Sequence, residues 1–357
     1  MTNAVALAQG ASNNVTFRNK LINGGMVIDQ RNGGASSTPS ATTYLIDRWR
    51  FEISQASKFT VGQNLNSVTT QAGFPNYLGF QVASAVSIGA TDYFVIDQRI
   101  EGFNFADLAW GTANAKTVTV SFWVYSSLTG TFGGCLSNYA VTRAYPFTYT
   151  ISSANTWTQI SVTIAGDTSG TWVGASNSGV AQLTFGLGVG STYSGTAGSW
   201  ATTSYTVSAT GATSVVGTSS ATFYITGVQL EAGTTASPFE YRQYGTELAL
   251  CQRYFYKASS TGGNVPFGFG YYPSTIELAI GVPFPIVMRS VPTFTSSAAN
   301  TFLAQDSANR TPTTISMQCA SPSYASVVFA ISGVTAGGGA KLLDNGGATN
   351  LSFASEL

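Results

Sequence analysis

The chain has 357 residues, 15 of them basic and 15 acidic, so only 8% carry a charge and the net charge is zero. Ordinary soluble domains contain about 25% charged residues, and a nucleic-acid-binding surface needs a concentrated positive face, so no nucleic-acid partner is expected. Histidine is absent, which excludes Ser-His-Asp and Cys-His catalysis and histidine-ligated metal sites. We predict no cofactor and no bound metal.

Residues 1–16 are small and mostly polar, and they predict an arm rather than part of a core. Their apolar stretch is short and no cationic region precedes it, so a secretory signal is not expected. No run in the chain approaches the roughly 18 apolar residues of a membrane span. We therefore expect synthesis in a cytoplasm and no insertion into a membrane.

From Phe17 onward, short apolar stretches alternate with clusters of Gly, Asn and Ser, which is typical of strands joined by turns. In the segment 117–125 every second residue is apolar, and this period of two is that of a half-buried strand. The pattern predicts an all-β chain whose first domain, residues 17–245, is a jelly roll or β-sandwich.

Residues 246–257 give the best helical pattern, with Thr246 as the N-cap, and predict a short linker helix. All six tryptophans precede it. The remainder, residues 258–357, again has a strand-like pattern and predicts a smaller C-terminal β-sandwich. We expect Cys135, Cys251 and Cys319 to be buried free thiols, because three cysteines cannot all pair within one chain.

Seven segments, spread in order over roughly residues 17–295, resemble tail-fibre and appendage proteins of tailed phages. They are residues 19–26, 28–32, 47–49, 93–102, 223–233, 247–257 and 283–294. The resemblance implies a first domain similar to the jelly-roll carbohydrate-binding modules, a small β-sandwich after it, and a homotrimeric virion appendage. It further implies a structural subunit that binds a host surface glycan and attaches to other tail or baseplate proteins through the arm. Such a chain is made in the cytoplasm of the bacterial host and is located in the virion.

The carbohydrate-binding modules often hold a structural calcium ion between acidic groups of their first and last strands. At the matching places this chain has Asn23 and Thr226-Gly227, with Glu231 nearby. Calcium prefers several oxygen ligands including carboxylates, so the sequence departs from the family pattern here.

Trimerisation has support besides the resemblance, since a weakly charged surface has few desolvation costs when it is buried in an interface. The C-terminal part also offers more aromatic surface than one thin sandwich readily hides. These aromatic residues are Phe267, Phe269, Tyr271, Tyr272, Phe284 and Phe294.

Carboxylate and guanidinium groups recur close together in the first domain. The pairs Asp29/Arg31, Asp47/Arg48 and Arg99/Glu101 predict partly buried ion pairs that fix strand edges. The alternative is a glycan-cleaving enzyme that uses a carboxylate pair such as Asp97 and Glu101, which would have to lie at a defined separation. We expect no enzymatic activity, and release of reducing ends from a polysaccharide would contradict this.

Three aromatic residues, Trp172, Tyr193 and Trp200, lie in stretches rich in Gly, Ser and Thr, and are the candidates for glycan binding. A ring on a loop can stack on a sugar face; the alternative, which the sequence favours, is that these rings pack against a neighbouring subunit. For Trp49, Trp123 and Trp157, which lie within strand patterns, we expect burial in the core.

Overall fold

The structure, a computed structural model, describes residues 17–357. The predicted arm, residues 1–16, lies outside the described residues. Strands make up 44% of the chain and helix 7%, so the all-β prediction is confirmed. The chain forms two compact units: a first unit that ends at Glu247 and also includes Leu357, and a second unit, Leu248–Glu356.

The first unit contains two antiparallel sheets. The seven-stranded sheet has the order β1-β2-β5-β10-β7-β8-β12, and the five-stranded sheet has the order β3-β4-β14-β6-β9. The strands are β1 Thr43–Ile46, β2 Trp49–Ile53, β3 Phe59–Gln63, β4 Leu78–Val82, β5 Tyr93–Glu101, β6 Val118–Ser126, β7 Gly130–Asn138, β8 Arg143–Ile151, β9 Thr158–Ile164, β10 Gly179–Val189, β11 Ser194–Gly195, β12 Ala201–Thr202, β13 Ser208–Ala209 and β14 Thr222–Ala232. The short strands β11 and β13 pair in parallel.

Aromatic side chains of the two sheets meet in a continuous core, which makes the first unit a β-sandwich. Phe51 of β2 lies 5.3 Å from Phe80 of β4 between ring centroids, and Phe122 of β6 lies 4.9 Å from Phe185 of β10. The predicted alternation in β6 is confirmed, because its four apolar residues, Val118 to Val124 at every second position, are all buried.

Trp49 is fully buried, as expected, but the expectation was wrong for Trp123 and Trp157. Both of these are half-buried. Trp123 has the opposite parity from the core residues of β6 and therefore lies on the outer face of the five-stranded sheet. Trp157 packs against Tyr77 and Tyr125, at 5.7 and 5.6 Å between centroids, and its Nε1–H donates to the Thr69 carbonyl.

The helix near the unit boundary, α1, spans Tyr244–Gln252. Thr246 lies inside its first turn, because the backbone N–H groups of both Thr246 and Glu247 donate to the Gln243 carbonyl. Its predicted N-cap role is therefore wrong. The end of the predicted linker, residues 255–257, instead begins a strand, Phe255–Ser260, which pairs over its whole length with the strand Thr349–Ala354.

The second unit is also a β-sandwich with a core of its own. Its seven-stranded sheet has the order β20-β19-β23-β16-β17-β22-β21, and a three-stranded sheet has the order β15-β24-β18. The strands are β15 Phe255–Ser260, β16 Pro266–Ser274, β17 Glu277–Pro283, β18 Thr293–Ser296, β19 Phe302–Gln305, β20 Asn309–Arg310, β21 Thr314–Ser321, β22 Tyr324–Ala330, β23 Gly339–Asp344 and β24 Thr349–Ala354. Phe302, Phe329 and Phe353 are fully buried in that core.

All three cysteines are free, and Cys135 and Cys251 are buried. Cys319 is exposed because it lies on β21, an edge strand of the second unit, so the expectation of burial was wrong for this residue. No helix within residues 17–357 is long and apolar enough to cross a membrane.

Candidate functional site

The outer face of the seven-stranded sheet in the first unit carries four charged side chains. Strands β2 and β5 are antiparallel with Arg50 opposite Asp97. Phe51 and its partner Ile96 face the core, so the alternation of side chains places Arg50, Glu52, Asp97 and Arg99 on the outer face. These four residues are called the charged network below.

Arg50 organises the charged network. Its Nε and Nη2 donate to the two carboxylate oxygens of Asp97 at 2.9 and 2.8 Å, and its guanidinium also contacts Glu52. Arg99 Nη2 lies 3.6 Å from Glu52 Oε1. Asp97 is fully buried, and a bidentate guanidinium is the partner that best compensates a buried carboxylate.

Burial and neighbouring charges shift the pKa values of Glu52 and Arg50 in the charged network. Burial raises the pKa of the Glu52 carboxyl, and the negative charge of Asp97 acts in the same direction, against the lowering effect of Arg50. Arg50 behaves in the opposite way. Burial disfavours its charge, but Asp97 outweighs this and raises the pKa of the guanidinium. Burial therefore makes the Glu52 carboxyl take up a proton more readily than a free glutamate does.

Three tyrosines, Tyr93, Tyr193 and Tyr205, lie beside the charged network and form the tyrosine triad. The Tyr193 ring is nearly perpendicular to the other two, with centroids 5.4 Å from Tyr93 and 5.5 Å from Tyr205. Tyr205 Oη donates to Glu52 Oε2 at 2.8 Å, which ties the triad to the network. All three rings are half-buried, so parts of them stay open to solvent.

The tyrosine triad is held in place by a segment that crosses the sheet. This segment, residues 191–213, carries Tyr193, Tyr205 and the short strands β11 and β13. A Cβ built at Gly133 or Gly186 would lie 2.5 or 2.6 Å from the Oγ of Ser208, so only glycine lets the segment approach the sheet. The segment therefore covers the sheet at Gly133 and Gly186, and the charged network lies beside the segment.

Two of the predicted glycan-binding residues lie elsewhere, in an aromatic cluster within the first unit. Trp172 and Trp200 are 5.7 Å apart between centroids, and both pack against Trp110. The Trp200 indole N–H donates to the Ala165 carbonyl at 2.7 Å, and that of Trp172 to the Asp167 carboxylate at 3.1 Å. Both rings therefore pack inside their own chain. Tyr193 is the predicted candidate that borders the charged network.

The predicted ion-pair residues near the start of the chain, Asp29 and Arg31, contact backbone groups of a turn and an aromatic ring. The Asp29 carboxylate accepts the backbone N–H groups of Asn32 and Gly34, at 2.9 and 2.8 Å. The Arg31 guanidinium lies over the Tyr44 ring, 4.7 Å from its centroid. Each contact fixes the chain just before the first strand.

The other predicted ion-pair residues are buried close to β5. Asp47 accepts two hydrogen bonds from Gln30, one from its backbone and one from its side chain, at 2.7 and 2.6 Å. Arg48 has a φ of 71° and donates to the Arg99 carbonyl. Glu101 ends β5 with 1% of its surface exposed.

Sequence reasoning missed two ion pairs, Arg50 with Asp97 and Arg143 with Asp167. The second pair is also bidentate, with distances of 2.9 and 2.7 Å between the guanidinium nitrogens and the carboxylate oxygens. Their partners are 47 and 24 residues apart along the chain. The alternation in β2 and β5 was the available signal, because it directs both Arg50 and Asp97 away from the apolar face.

The residues at the family's calcium position do not fit a calcium site in this chain. The Glu231 carboxylate accepts hydrogen bonds from the Ser237 N–H, the Ser237 hydroxyl and the Gln229 amide, at 2.8, 2.6 and 2.9 Å. The Asn23 amide donates to the carbonyls of Ile28 and Asp47. Within residues 17–357, no three side chains of His, Cys, Asp or Glu are grouped so as to hold a metal ion.

No family model matches this chain, and no curated protein matches it. Among solved structures, TmCBM61 in complex with beta-1,4-galactotriose is similar at 13% identity over 61% of this chain and 100% of its own, with a TM-score of 0.32. A CBM4 structure is similar at 14% identity over 59% and 98%, with a TM-score of 0.30. The family 11 carbohydrate-binding module from Clostridium thermocellum is similar at 11% identity over 56% and 100%, with a TM-score of 0.29.

Proposed function

We propose that this chain is a glycan-binding protein that holds sugar on the outer face of the seven-stranded sheet in its first unit. The observation that carries the proposal is the tyrosine triad, three half-open rings beside the charged network on one sheet face. A sugar presents C–H groups on the faces of its ring and hydroxyls at its rim. Aromatic rings can stack on the C–H groups, and charged side chains can form hydrogen bonds with the hydroxyls.

The rigidity of this site supports the proposal further. Arg50 and Asp97 lock each other in a bidentate pair, and Tyr205 is held by Glu52, so the side chains lose little freedom when a ligand binds. Sugars replace strong hydrogen bonds to water with hydrogen bonds to protein, and a preformed array lowers the cost of that exchange. Arg99, with 22% of its side chain exposed, is the cation of the network nearest to solvent.

The biological setting we propose is a subunit of a tailed-phage tail fibre that recognises a host surface glycan as part of a homotrimer in the virion. The ordered resemblance of the segments between residues 17 and 295 supports this setting, as does the low charge of the chain. The homotrimer is tested by sedimentation: a species near three times 37.2 kDa that resists dilution is expected, and a 37.2 kDa species at micromolar concentration contradicts it.

We also propose that the protein binds glycan without cleaving it. Asp97, one member of the carboxylate pair considered as catalytic, is fully buried and engaged on both oxygens by Arg50. A carboxylate so engaged is poorly placed to act as a nucleophile or base. The test is incubation of the pure protein with polysaccharide. We expect no new reducing ends, and their release would favour the glycan-cleaving alternative.

Binding is tested by affinity gel electrophoresis of the full chain in gels that contain one soluble neutral polysaccharide each: beta-1,4-galactan, mixed-linked beta-1,3-1,4-glucan and hydroxyethyl cellulose. We expect at least one to retard the wild type and Tyr193→Ala to weaken that retardation strongly. The matched control is Tyr125→Ala, because Tyr125 is also half-buried and packs against two rings, but on the other sheet. Equal retardation of wild type and Tyr193→Ala would contradict the proposed site.

A further inference from the structure

Three aromatic side chains of the second unit are unusually open to solvent. Phe269 is 78% exposed, Tyr271 59% and Tyr324 46%. The other aromatic residues that the sequence suggested as surplus surface behave differently, since Tyr272 and Phe284 are buried in the core of the unit and Phe267 and Phe294 are half-buried against it. Of the six aromatic residues that the sequence suggested, only Phe269 and Tyr271 are therefore exposed. Phe269, Tyr271 and Tyr324 are called the aromatic strip below.

The strand register places the aromatic strip on one face of the seven-stranded sheet. Phe269 and Tyr271 are two residues apart on β16, so they point to the same side with their backbones roughly 6.7 Å apart. The opposite face of the sheet is the core face, where Tyr272 and Ile280 are buried. Tyr271 is paired with Ala279 on the neighbouring strand, and the same register puts Gly281 beside Phe269.

Gly281 lets Tyr324 complete the aromatic strip. A Cβ built at Gly281 would lie 1.7 Å from the Tyr324 hydroxyl, so this side chain lies directly over the glycine. The pairing of β16, β17 and β22 puts Phe269, Gly281 and Tyr324 on the same face of the sheet. Small residues, Ala279 and Gly281, thus form a flat floor between the rings.

The size of the aromatic strip decides what kind of partner it fits. An aromatic side chain can bury roughly 200 Å², so at these exposures the three rings offer about 370 Å² together. A stable protein–protein interface buries about 800 Å² on each partner, so the strip alone is too small for a second copy of the chain. An area of this size suits a ligand that covers two or three rings.

The charged residues near the aromatic strip indicate what charge that ligand should carry. The register places Lys341 opposite Phe269 and Glu277 two positions from Ala279 on the same face, and these two charges have opposite signs. The strip therefore favours neither a strongly acidic nor a strongly basic partner. Open rings over a flat, nearly neutral sheet suit the C–H faces of successive sugar rings in a neutral polysaccharide.

We propose that the aromatic strip is a second glycan-binding surface, which stacks on a neutral polysaccharide and adds to the binding by the first unit. This inference rests on the proposed function and extends it to a site on the other unit. Two sites on one chain raise the strength of attachment to a long polymer, since the second contact becomes intramolecular once the first has formed.

The test uses the full chain in the polysaccharide gels described above. The variant Phe269→Ala/Tyr271→Ala should weaken retardation about tenfold, because it removes two of the three stacking rings, whereas Tyr271→Phe should keep it. Gly281→Ala should also weaken it, because the new Cβ displaces Tyr324. The matched control is Ile276→Ala, a residue of the same unit that is 61% exposed and should leave retardation unchanged.

The outcomes separate the two sites. If Tyr193→Ala reduces retardation and the double variant does not, the aromatic strip is not a glycan surface, and the first-unit site stands. If the double variant weakens retardation and Tyr193→Ala does not, the result supports the aromatic strip and contradicts the first-unit site. A wild type that no polysaccharide retards overturns both. Sedimentation that shows dissociation of a multimer in the double variant also overturns the proposal, because the strip would then be a contact between copies.

Discussion

The two units treat their aromatic and apolar side chains in different ways. Within residues 17–357, six large hydrophobic side chains are exposed in the first unit and eight in the second, although the second is less than half as long. The first unit packs its loop tryptophans against one another and keeps its open rings beside charged groups. The second unit exposes rings on a nearly neutral sheet face. One architecture, the β-sandwich, can therefore present either a polar, rigidly held surface or a flat apolar one.

A large loss of stability is expected when the charged network is broken. Arg50→Ala leaves the buried Asp97 carboxylate without its main partner and should lower the free energy of unfolding of the first unit by about 3–5 kcal/mol. All six tryptophans lie in this unit, so urea unfolding followed by tryptophan fluorescence reports on it selectively. The control is Asp107→Asn. Asp107 pairs with Lys20 but is 54% exposed, so the loss should be about 1 kcal/mol or less. Equal losses in both variants would show that the network is not the buried element described.

A smaller effect separates packing from binding within the first unit. Trp200→Ala removes one of the mutually packed indole rings and should cost about 2 kcal/mol of stability, less than a fully buried tryptophan because the ring is half-buried. It should leave glycan retardation unchanged. If Trp200→Ala abolished binding in a folded protein, the glycan site would lie at the tryptophan cluster instead of the tyrosine triad.

A pair of phenylalanines sharpens the contrast in the second unit. Phe353→Ala removes a fully buried ring that packs against Phe284 and Phe294, and should destabilise the unit by about 3–5 kcal/mol. Phe269→Ala should change its stability by no more than about 0.5 kcal/mol, because that ring is mostly exposed. Hydrogen exchange of peptides from the second unit measures both. A large loss for Phe269→Ala would mean that its ring is covered.

The smallest expected effects are pH dependences of opposite sign. The N–H of Ala308, then Arg310 and the Tyr272 hydroxyl, outweigh partial desolvation and hold the pKa of Asp306 at about 2, below its ordinary 3.8. Asp306 therefore contributes stability above pH 3.8 that is lost as the pH falls towards 2. For Glu52 the pKa is raised above 4.5, so its contribution is present below pH 4.5 and is lost as the pH rises.

The signs of these two pH dependences are checked by comparing the stability of the wild-type chain with that of each variant at every pH. Effects of pH that are common to both proteins then cancel. Asp306→Asn should reduce the acid sensitivity of the second unit in hydrogen exchange. Glu52→Gln should flatten the fall in stability of the first unit, seen by tryptophan fluorescence, as the pH rises above 4.5. Slopes of the same sign in both units would contradict the assignment of these two carboxyls.

Local patterns were enough to predict the strands, while contacts between distant strands were not. The alternation in β6 predicted which face is buried, because it depends only on neighbouring residues. Arg50 and Asp97 are joined by strand pairing across 47 residues, which no local pattern encodes. The loop-like sequence around Trp172 and Trp200 suggested exposure, but tertiary packing brings these rings together. Of the predicted binding residues, Tyr193 lies beside the charged network because segment 191–213 crosses the sheet over its glycines.

The most direct test of the proposed glycan site is isothermal titration of the full chain with the polysaccharide that retards it most. We expect Tyr193→Ala to weaken binding at least about tenfold, because it removes a ring that contacts two other rings and, in the proposed site, the ligand. Tyr125→Ala should bind like the wild type. Equal affinities of wild type and Tyr193→Ala, with Tyr193→Ala folded by tryptophan fluorescence, would contradict a glycan site on this sheet face.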